Sequence, residues 1–449
     1  MQQLQIQNYC AMAFQYTRLA RGVLATIASF VVYALHRTVM KALGVLLVAI
    51  RDDFETDTWV AGTVFSATDC VTDLMCPIVG PIGKRFGYRR VCMFGGVMTA
   101  AAIIVVSQAP SFLLVAIPLI GPVALGRSIT VIITCAALGE RFDDREFALA
   151  SGIAKMGSAL AYIGIPQLVQ LCLGTYGWRG TLLILGALCA HLIVCGALIV
   201  SSETGRAGAN LKNGYQSLPN GDRCPDTERK QQELSPHRLL LPLKSFYRRM
   251  EPIFCLSVLL DFNFWAVTLI NIINKIALMA WVIYFVPNAE DRGFSGEIAS
   301  FMVTVAGVGH IIGILVGSLV VFKQILSSMG CLMLSIPFIA VPLCIGAWMT
   351  TSWLMTANAT VLMLALGCSY TLVTVVLKEV ISNEKFPYAV GWTTFFTSAS
   401  KLMGGFIPGW LFDHRGSFEV GFAIIGAMQF ISFIPIIAQR LLCSKTNCQ

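Results

Sequence analysis

The chain has 449 residues, of which 56% are hydrophobic and only 12% are charged, and its formal net charge is +8. Soluble domains carry about 25% charged residues, whereas apolar runs of about 20 residues, long enough to cross a bilayer, recur along this sequence. The composition excludes a soluble enzyme, a nucleic-acid-binding domain and a disordered protein, and it predicts an all-α membrane protein. The excess of lysine and arginine is typical of cytoplasmic loops, so no nucleic-acid partner is expected.

Twelve apolar segments follow one another along the chain, and each is predicted to be a transmembrane helix. In chain order, segments 1 to 12 cover residues 22–50, 58–79, 90–108, 111–139, 147–172, 180–201, 252–287, 297–322, 327–348, 352–381, 387–412 and 418–440. Residues 202–251 contain 15 charged residues and no apolar period, which predicts a cytoplasmic linker. The sequence therefore predicts two six-helix halves, residues 1–201 and 252–449, the second of which ends in a short cytoplasmic tail.

The loops on either side of segment 2 carry opposite charge. The loop after segment 1, residues 52–57, contains four acids, whereas residues 84–90, after segment 2, contain four lysine and arginine residues. Because basic loops stay in the cytoplasm, we expect both termini there.

Residues 80–90, GPIGKRFGYRR, resemble the signature loop of the major facilitator superfamily. The matching positions are Gly80, Arg85, Gly87 and Arg89. Gly87 permits a tight turn between two helices, and the arginines can neutralise helix C-terminal carbonyls and anchor at the cytoplasmic surface. Lys84 stands where the superfamily usually has Asp. The resemblance implies a twelve-helix transporter whose two halves rock about a central site.

Three other stretches resemble the monocarboxylate transporter family. They are REFALASGIAKMG at 145–157, YGWRGTLLILG at 176–186 and GGFIPGWLFD at 404–413. Arg145, Trp178, Arg179 and Asp413 are their motif residues. The resemblance implies a plasma-membrane carrier of a small organic anion, not an enzyme, with no cofactor and no metal. As partners it implies the lipid bilayer, protons in some members and a single-span immunoglobulin-like protein in some members.

The same resemblance bears on substrate and coupling. Lys41 aligns with the segment 1 lysine that serves the lactate carriers. In segment 8, His310 and Ile314 stand where those carriers have an Asp and an Arg linked with substrate and proton handling. This departure favours an alternative, an uncoupled facilitated carrier of a larger substrate such as a thyroid hormone, aromatic amino acid, creatine or carnitine. A non-transporting membrane sensor or scaffold is a remote alternative.

Ionisable residues inside the segments give an indication of a cavity that does not depend on the family. Charges are costly in a bilayer and normally face a water-filled space. The interiors of segments 3, 9 and 12 hold no charge, and segment 6 holds only His191. The ionisable residues of the remaining segments that we consider are His36, Arg37, Lys41, Asp69, Asp73, Arg127, Lys155, Lys275, His310 and Lys401. Their six cations and two acids favour an anionic substrate such as a carboxylate.

Among the cations, Lys41 is the first candidate to bind a carboxylate, with Arg127 and Lys401 as secondary positive groups. Asn271 and Lys275 lie one helical turn apart and are predicted to line the cavity. Arg37 and Lys155 lie nearer the ends of their segments, where snorkelling to the surface or internal salt bridges are the competing interpretation.

The candidates for proton coupling are Asp69, Asp73 and His310. The two acids lie one turn apart, so they could form a proton acceptor with one raised pKa or structural salt bridges to Arg127 or Lys41. His310 is either a proton-sensitive group or a helical histidine with an ordinary hydrogen bond.

Overall fold

A computed structural model of the chain describes residues 2–56, 58–199, 251, 254–415 and 418–434. The predicted linker 202–251, apart from Glu251, lies outside the described residues. In the described ranges the regular secondary structure is helical, as predicted. The α-helices are α1 Gln2–Asp53, α2 Thr58–Leu74, α3 Cys76–Phe86, α4 Tyr88–Ser107, α5 Phe112–Pro118, α6 Ala124–Arg141, α7 Asp144–Leu198, α8 Phe262–Asp291, α9 Gly296–Phe322, α10 Ser328–Ile345, α11 Ser352–Val380, α12 Phe386–Arg415 and α13 Glu419–Ile431.

Eight helical stretches in the described residues are long and apolar enough to cross a membrane. One of them is α7, whose 55 residues would measure about 80 Å if they were straight. That length is more than twice the bilayer core of about 30 Å. Gly177 interrupts α7 with φ +67°, so that the chain changes direction just before Trp178. Segments 5 and 6 therefore form separate arms of α7, while the total of twelve spans stays a prediction.

Prolines divide two other predicted segments. Segment 2 consists of α2 and α3, and Pro77 occupies the first turn of α3, where its missing N–H costs nothing. Segment 4 consists of α5, a π-helical turn at Leu119–Val123 that contains Pro122, and α6. A proline inside a helix removes a backbone hydrogen bond, which accounts for the altered turn.

One predicted helix start was wrong, and one predicted turn agrees with the structure. Helix α1 begins at Gln2, and its apolar stretch Ala20–Leu47 agrees with predicted segment 1. Helix α8 begins at Phe262 rather than at residue 252, after a 3₁₀ turn at Leu256–Leu260. Gly87 has φ +88° between α3 and α4, as the predicted turn requires.

We call residues 2–199 the N-terminal half and residues 254–434 the C-terminal half. The bundle has a basic-loop end, marked by residues 84–90, and an acidic-loop end, marked by residues 52–56. Near the basic-loop end both halves share one hydrophobic core, whose members include Val79, Phe147, Phe264 and Phe386. Toward the acidic-loop end each half has a core of its own, around Leu46 and Trp178 in one half and Trp281 and Phe422 in the other.

Two polar contacts and one close approach of backbones close the basic-loop end further. We call the residues that make them the seal: Lys84, Asp144, Lys378, Glu384 and Gly391. Lys84 Nζ donates a hydrogen bond to the Glu384 carbonyl oxygen across the halves. Lys378 forms an ion pair with Asp144 at 3.2 Å. Gly391 lies so close to α3 that a methyl group added there would be 2.8 Å from the backbone carbonyl oxygen of Cys76. With one end sealed and the cores separate at the other, the space between the halves faces the acidic-loop end.

Candidate functional site

A cavity of about 130 Å³ lies between the two halves, on the side of the seal that faces the acidic-loop end. Helices α1, α2, α6 and α7 of the N-terminal half and α8, α11 and α12 of the C-terminal half line it. The charged residues in its lining are Arg37, Asp73, Lys155, Lys275 and Lys401. With four cations and one acid, the cavity carries an excess of positive charge.

Asp69, Asp73, Arg127 and Lys401 form one side of the site, which we call the acid wall. Lys401 Nζ lies 2.6 Å from Asp69 Oδ2 and 2.6 Å from Asp73 Oδ2, so an α12 lysine joins two α2 acids across the halves. Asp69 also lies 3.4 Å from Arg127 Nη2. Charges removed from water are tolerable when they are paired and hydrogen-bonded, so the acid wall is an internally neutralised ion-pair network.

Arg127 is buried, and both of its Nη atoms contact neighbouring groups, whereas its Nε has no hydrogen-bond partner among the described residues. Its side chain is 1% exposed, and its Nη2 donates to the carbonyl oxygen of His36 at 3.1 Å. Its Nη1 lies 3.1 Å from Met40 Sδ and 3.5 Å from Thr72 Oγ1. Of the two interpretations given for the acids, the structure therefore displays the salt bridge. The Arg127 partner is one of the two that the prediction named, and Lys401 is a lysine that binds both acids.

Lys155, Lys275, Tyr370 and Thr374 form the other side, which we call the tyrosine wall. The Nζ atoms of Lys155 and Lys275 lie 4.7 Å and 4.8 Å from the centre of the Tyr370 ring, within cation–π range. Lys155 Nζ also donates to the Tyr370 carbonyl oxygen at 2.7 Å and to Thr374 Oγ1 at 2.6 Å. Within the described part of the chain, none of the ion pairs includes Lys155 or Lys275. The acids of the acid wall therefore do not pair with the charge of the tyrosine wall.

Two asparagines extend the site along α8. Asn271 lines the central cavity, as predicted. Asn274 is only 7% exposed, and its amide nitrogen and oxygen have no hydrogen-bond partner among the described residues. Both asparagines border a chamber of about 10 Å³ beside Lys275, room for about one water molecule. The chamber therefore places the unpartnered amide of Asn274 next to Lys275.

Four predicted candidates lie outside the cavity lining: Asp69 and Arg127, which belong to the acid wall behind Asp73 and Lys401, and Lys41 and His310. Lys41 is half-buried on α1, one turn beyond Arg37 toward the acidic-loop end. His310 Nδ1 lies 3.1 Å from the Met363 carbonyl oxygen, and its ring centre is 6.2 Å from that of Tyr370. His310 thus has an ordinary hydrogen bond, which is the alternative to a role in proton coupling. The functions of His310 and Lys41 stay predictions.

The signature-loop residues lie at and around the seal. A methyl group added at Gly80 would lie 3.3 Å from the Pro387 carbonyl oxygen, so Gly80 permits close contact between the halves. Arg85 and Arg89 are exposed at the basic-loop end. Lys84, which departs from the superfamily pattern, contacts the other half directly.

The other motif residues are spread over both ends of the bundle. Arg145 is exposed near the start of α7. Trp178 is buried against Phe54, with ring centres 5.7 Å apart. Arg179 forms an exposed ion pair with Asp53 at 3.1 Å. Asp413 lies in α12, and its side chain is outside what the structure describes.

The structure brings into the site residues that sequence reasoning did not assign to it. Arg37 and Lys155, which we counted among the six segment cations with snorkelling or internal salt bridges as the competing interpretation, both line the cavity. Tyr370, the centre of the tyrosine wall, was not singled out. Two patterns carried a signal for this surface: the polar run 369–371 inside segment 10, and the spacing of Thr394, Thr397 and Lys401, which puts them on one face of α12.

The family model of the Major Facilitator Superfamily matches residues 29–343 of the chain. The chain belongs to the major facilitator superfamily. Among solved structures, the fold of this chain resembles that of the proton:xylose symporter XylE bound to 6-bromo-6-deoxy-D-glucose, with a TM-score of 0.66. The two sequences are 12% identical, and the match covers 92% of this chain and 95% of the XylE chain. At this identity the likeness shows the fold alone.

Relatives of the facilitator include several monocarboxylate transporters. Mouse monocarboxylate transporter 12 is 26% identical over 92% of this chain and 84% of the relative. Human monocarboxylate transporter 12 is 24% identical over 94% and 81%, and human monocarboxylate transporter 11 is 26% identical over 91% and 80%. The expected resemblance is confirmed: the chain is a divergent relative of these proteins, a multi-pass membrane transporter and not an enzyme.

Proposed function

We propose that this facilitator carries a small carboxylate-bearing anion across the membrane by alternating access. The supporting observation is the central cavity, whose lining holds four cations and one acid. Cations at membrane depth are costly and normally serve a ligand or a pathway. The single acid is paired with Lys401, so an incoming carboxylate meets positive charge.

Transport would proceed by opening the seal and closing the acidic-loop end, with residues 1–201 and 252–449 as the moving halves and 202–251 as their linker. The shared core at one end and the separate cores at the other support such rocking. With the basic loop and both termini in the cytoplasm, this conformation faces the outside of the cell. Plasma-membrane residence and a single-span ancillary partner belong to the proposal as family expectations.

Within the cavity we assign the first substrate contacts to Lys275 and Asn271, which lie one turn apart on α8 and both line the cavity. Lys41 would attract the anion on its way in, because it lies one turn nearer the acidic-loop end than Arg37. Arg127 and Lys401 would act through the acid wall, by holding Asp69 and Asp73 in ion pairs.

Transport without proton coupling is the second candidate, and two observations favour it. Asp69 and Asp73 both lie in ion pairs, and His310 is hydrogen-bonded to a backbone carbonyl. Before either acid could take up a coupling proton, its ion pair with Lys401 would have to break. The volume of about 130 Å³ favours a small anion over the larger substrates that we also considered, because pockets for drug-sized ligands measure about 300–1,000 Å³.

The test is uptake of a labelled carboxylate panel into cells that express the protein, with and without an inward proton gradient. We expect Lys275→Gln to lower uptake at least about tenfold, as loss of a charged hydrogen bond predicts, and Lys41→Ala to slow it. Lys323→Gln, which removes an exposed lysine at the end of α9, is the matched control. Uptake that the gradient does not stimulate would select the uncoupled carrier, and surface protein that takes up no carboxylate would contradict the proposal.

A further inference from the structure

The tyrosine wall presents two positive charges to one small space. The Nζ atoms of Lys155 and Lys275 lie 4.7 Å and 4.8 Å from the centre of the same aromatic ring. Lys155 belongs to α7 of the N-terminal half and Lys275 to α8 of the C-terminal half. Both line the central cavity, so one bound molecule can reach a lysine from each half.

Charge balance distinguishes the anions that could bind there. In the described residues, Lys155 and Lys275 have no ion-pair partner, and the acids of the acid wall are already engaged. Like charges at short range repel strongly in a medium of low dielectric constant. A single carboxylate would neutralise one ammonium and leave the other, whereas two carboxylates on one molecule would neutralise both.

The two lysines also have hydrogen-bond donors to spare. An ammonium carries three donors, and Lys155 uses two of them on the Tyr370 carbonyl oxygen and Thr374 Oγ1. Lys275 lies over the Tyr370 ring, beside the small chamber bordered by Asn271 and Asn274. The buried amide of Asn274 has no partner in the described part of the chain, so it can donate to a carboxylate or to a water that one binds.

Resting on the proposed function, we infer that the substrate is a short organic dianion with two carboxylates, one bound by Lys155 and the other by Lys275. The centre of the Tyr370 ring lies within 4.8 Å of both Nζ atoms. Because each lysine belongs to a different half, a bound dianion connects the halves, and its second carboxylate contributes to closing the cavity. The class of substrate is thus a dicarboxylate rather than a monocarboxylate.

Competition between matched anions tests this directly in proteoliposomes that contain the purified full-length chain. Malonate, succinate and glutarate would each compete with a labelled carboxylate from the uptake panel, in parallel with their monoamides, which keep the chain length and lose one charge. We expect at least one diacid to compete about tenfold more strongly than its monoamide, the effect of one charged hydrogen bond. Lys275→Gln and Lys155→Gln should each reduce that preference to about threefold or less.

Three controls separate charge from folding. Lys323→Gln should leave the preference for the diacid unchanged, Lys275→Arg should retain most of it, and Lys155→Arg should retain part of it. If monoamides compete as well as diacids at all three lengths while uptake persists, the dianion inference is wrong and the proposed function stands. If correctly inserted protein takes up no carboxylate of either charge, the proposed function itself fails.

Discussion

The two walls of the site hold their cations in opposite arrangements. In the acid wall, Arg127 and Lys401 are paired with Asp69 and Asp73 at 2.6–3.4 Å. In the tyrosine wall, Lys155 and Lys275 face an aromatic ring and neutral oxygens. Removing one member of a buried ion pair strands its partner, so the acid wall should matter for stability. Removing Lys155 or Lys275 strands no opposite charge, so the tyrosine wall should matter for substrate binding.

Asp69→Asn should break this contrast most severely. The substitution leaves Arg127 without its carboxylate and removes one of the two held by Lys401, which should lower the free energy of unfolding by about 3–5 kcal/mol. Thermal unfolding in detergent would measure the loss. The double variant with Arg127→Gln should recover part of it, because the stranded Arg127 charge is then gone, whereas Lys401 keeps Asp73 at 2.6 Å. An unchanged unfolding temperature for Asp69→Asn would contradict the assignment of a structural network.

Asp73→Asn sharpens the comparison within the acid wall. Lys401 keeps Asp69 at 2.6 Å, so only one charged hydrogen bond is lost and the cost should be about 1.5–3 kcal/mol. The same unfolding measurement should rank this variant between the wild type and Asp69→Asn. A larger loss for Asp73 than for Asp69 would reverse the proposed hierarchy of the two acids.

Gly391→Ala tests whether the seal holds the two walls together. The added methyl group would lie 2.8 Å from a backbone oxygen of α3, so the helices must separate, at a cost of about 1–3 kcal/mol. Hydrogen exchange should speed up in residues 382–391. Gly164→Ala is the matched control, because a methyl group there meets nothing within 4 Å. Equal exchange in the two variants would show that the contact at Gly391 does not support the seal.

Arg179→Ala should have the smallest effect. Its ion pair with Asp53 is nearly half exposed on both sides, so solvent screening reduces its value to less than about 1 kcal/mol. Unfolding temperature and uptake should both stay close to the wild type. A loss of stability as large as that of Asp69→Asn would mean that burial does not determine how much these ion pairs contribute to the free energy of unfolding.

The sequence was sufficient for the fold and for the sign of the cavity charge. Apolar segment length and loop charge predicted a helical membrane protein, and the placement of cations inside the segments predicted an anion site. Two features were local in the sequence and therefore readable: the turn at Gly87 and the neighbouring positions of Asp69 and Asp73 on one face of α2.

The partners that come from different halves could not be predicted from the sequence. Lys401 and Asp69 are 332 positions apart, so only the docking of the two halves brings them together. The expectation for Lys41 followed from its alignment with the lysine that serves the lactate carriers. Lys41 lies one turn beyond Arg37, about 5.4 Å along the axis, and the cavity lining includes Arg37 but not Lys41. Lys155 was counted among the cations of the segments, but its place near a segment end left snorkelling open, and only the packing of α7 against α11 puts it beside Tyr370.

The most direct test of the two-wall account is a crossed comparison of Lys275→Gln and Lys401→Gln, with carboxylate uptake and thermal unfolding measured on the same preparations. The account predicts that Lys275→Gln keeps the wild-type unfolding temperature and loses most uptake. It predicts that Lys401→Gln lowers the unfolding temperature, because Asp69 and Asp73 lose their shared cation. Full uptake by a stably folded Lys275→Gln protein would contradict the account.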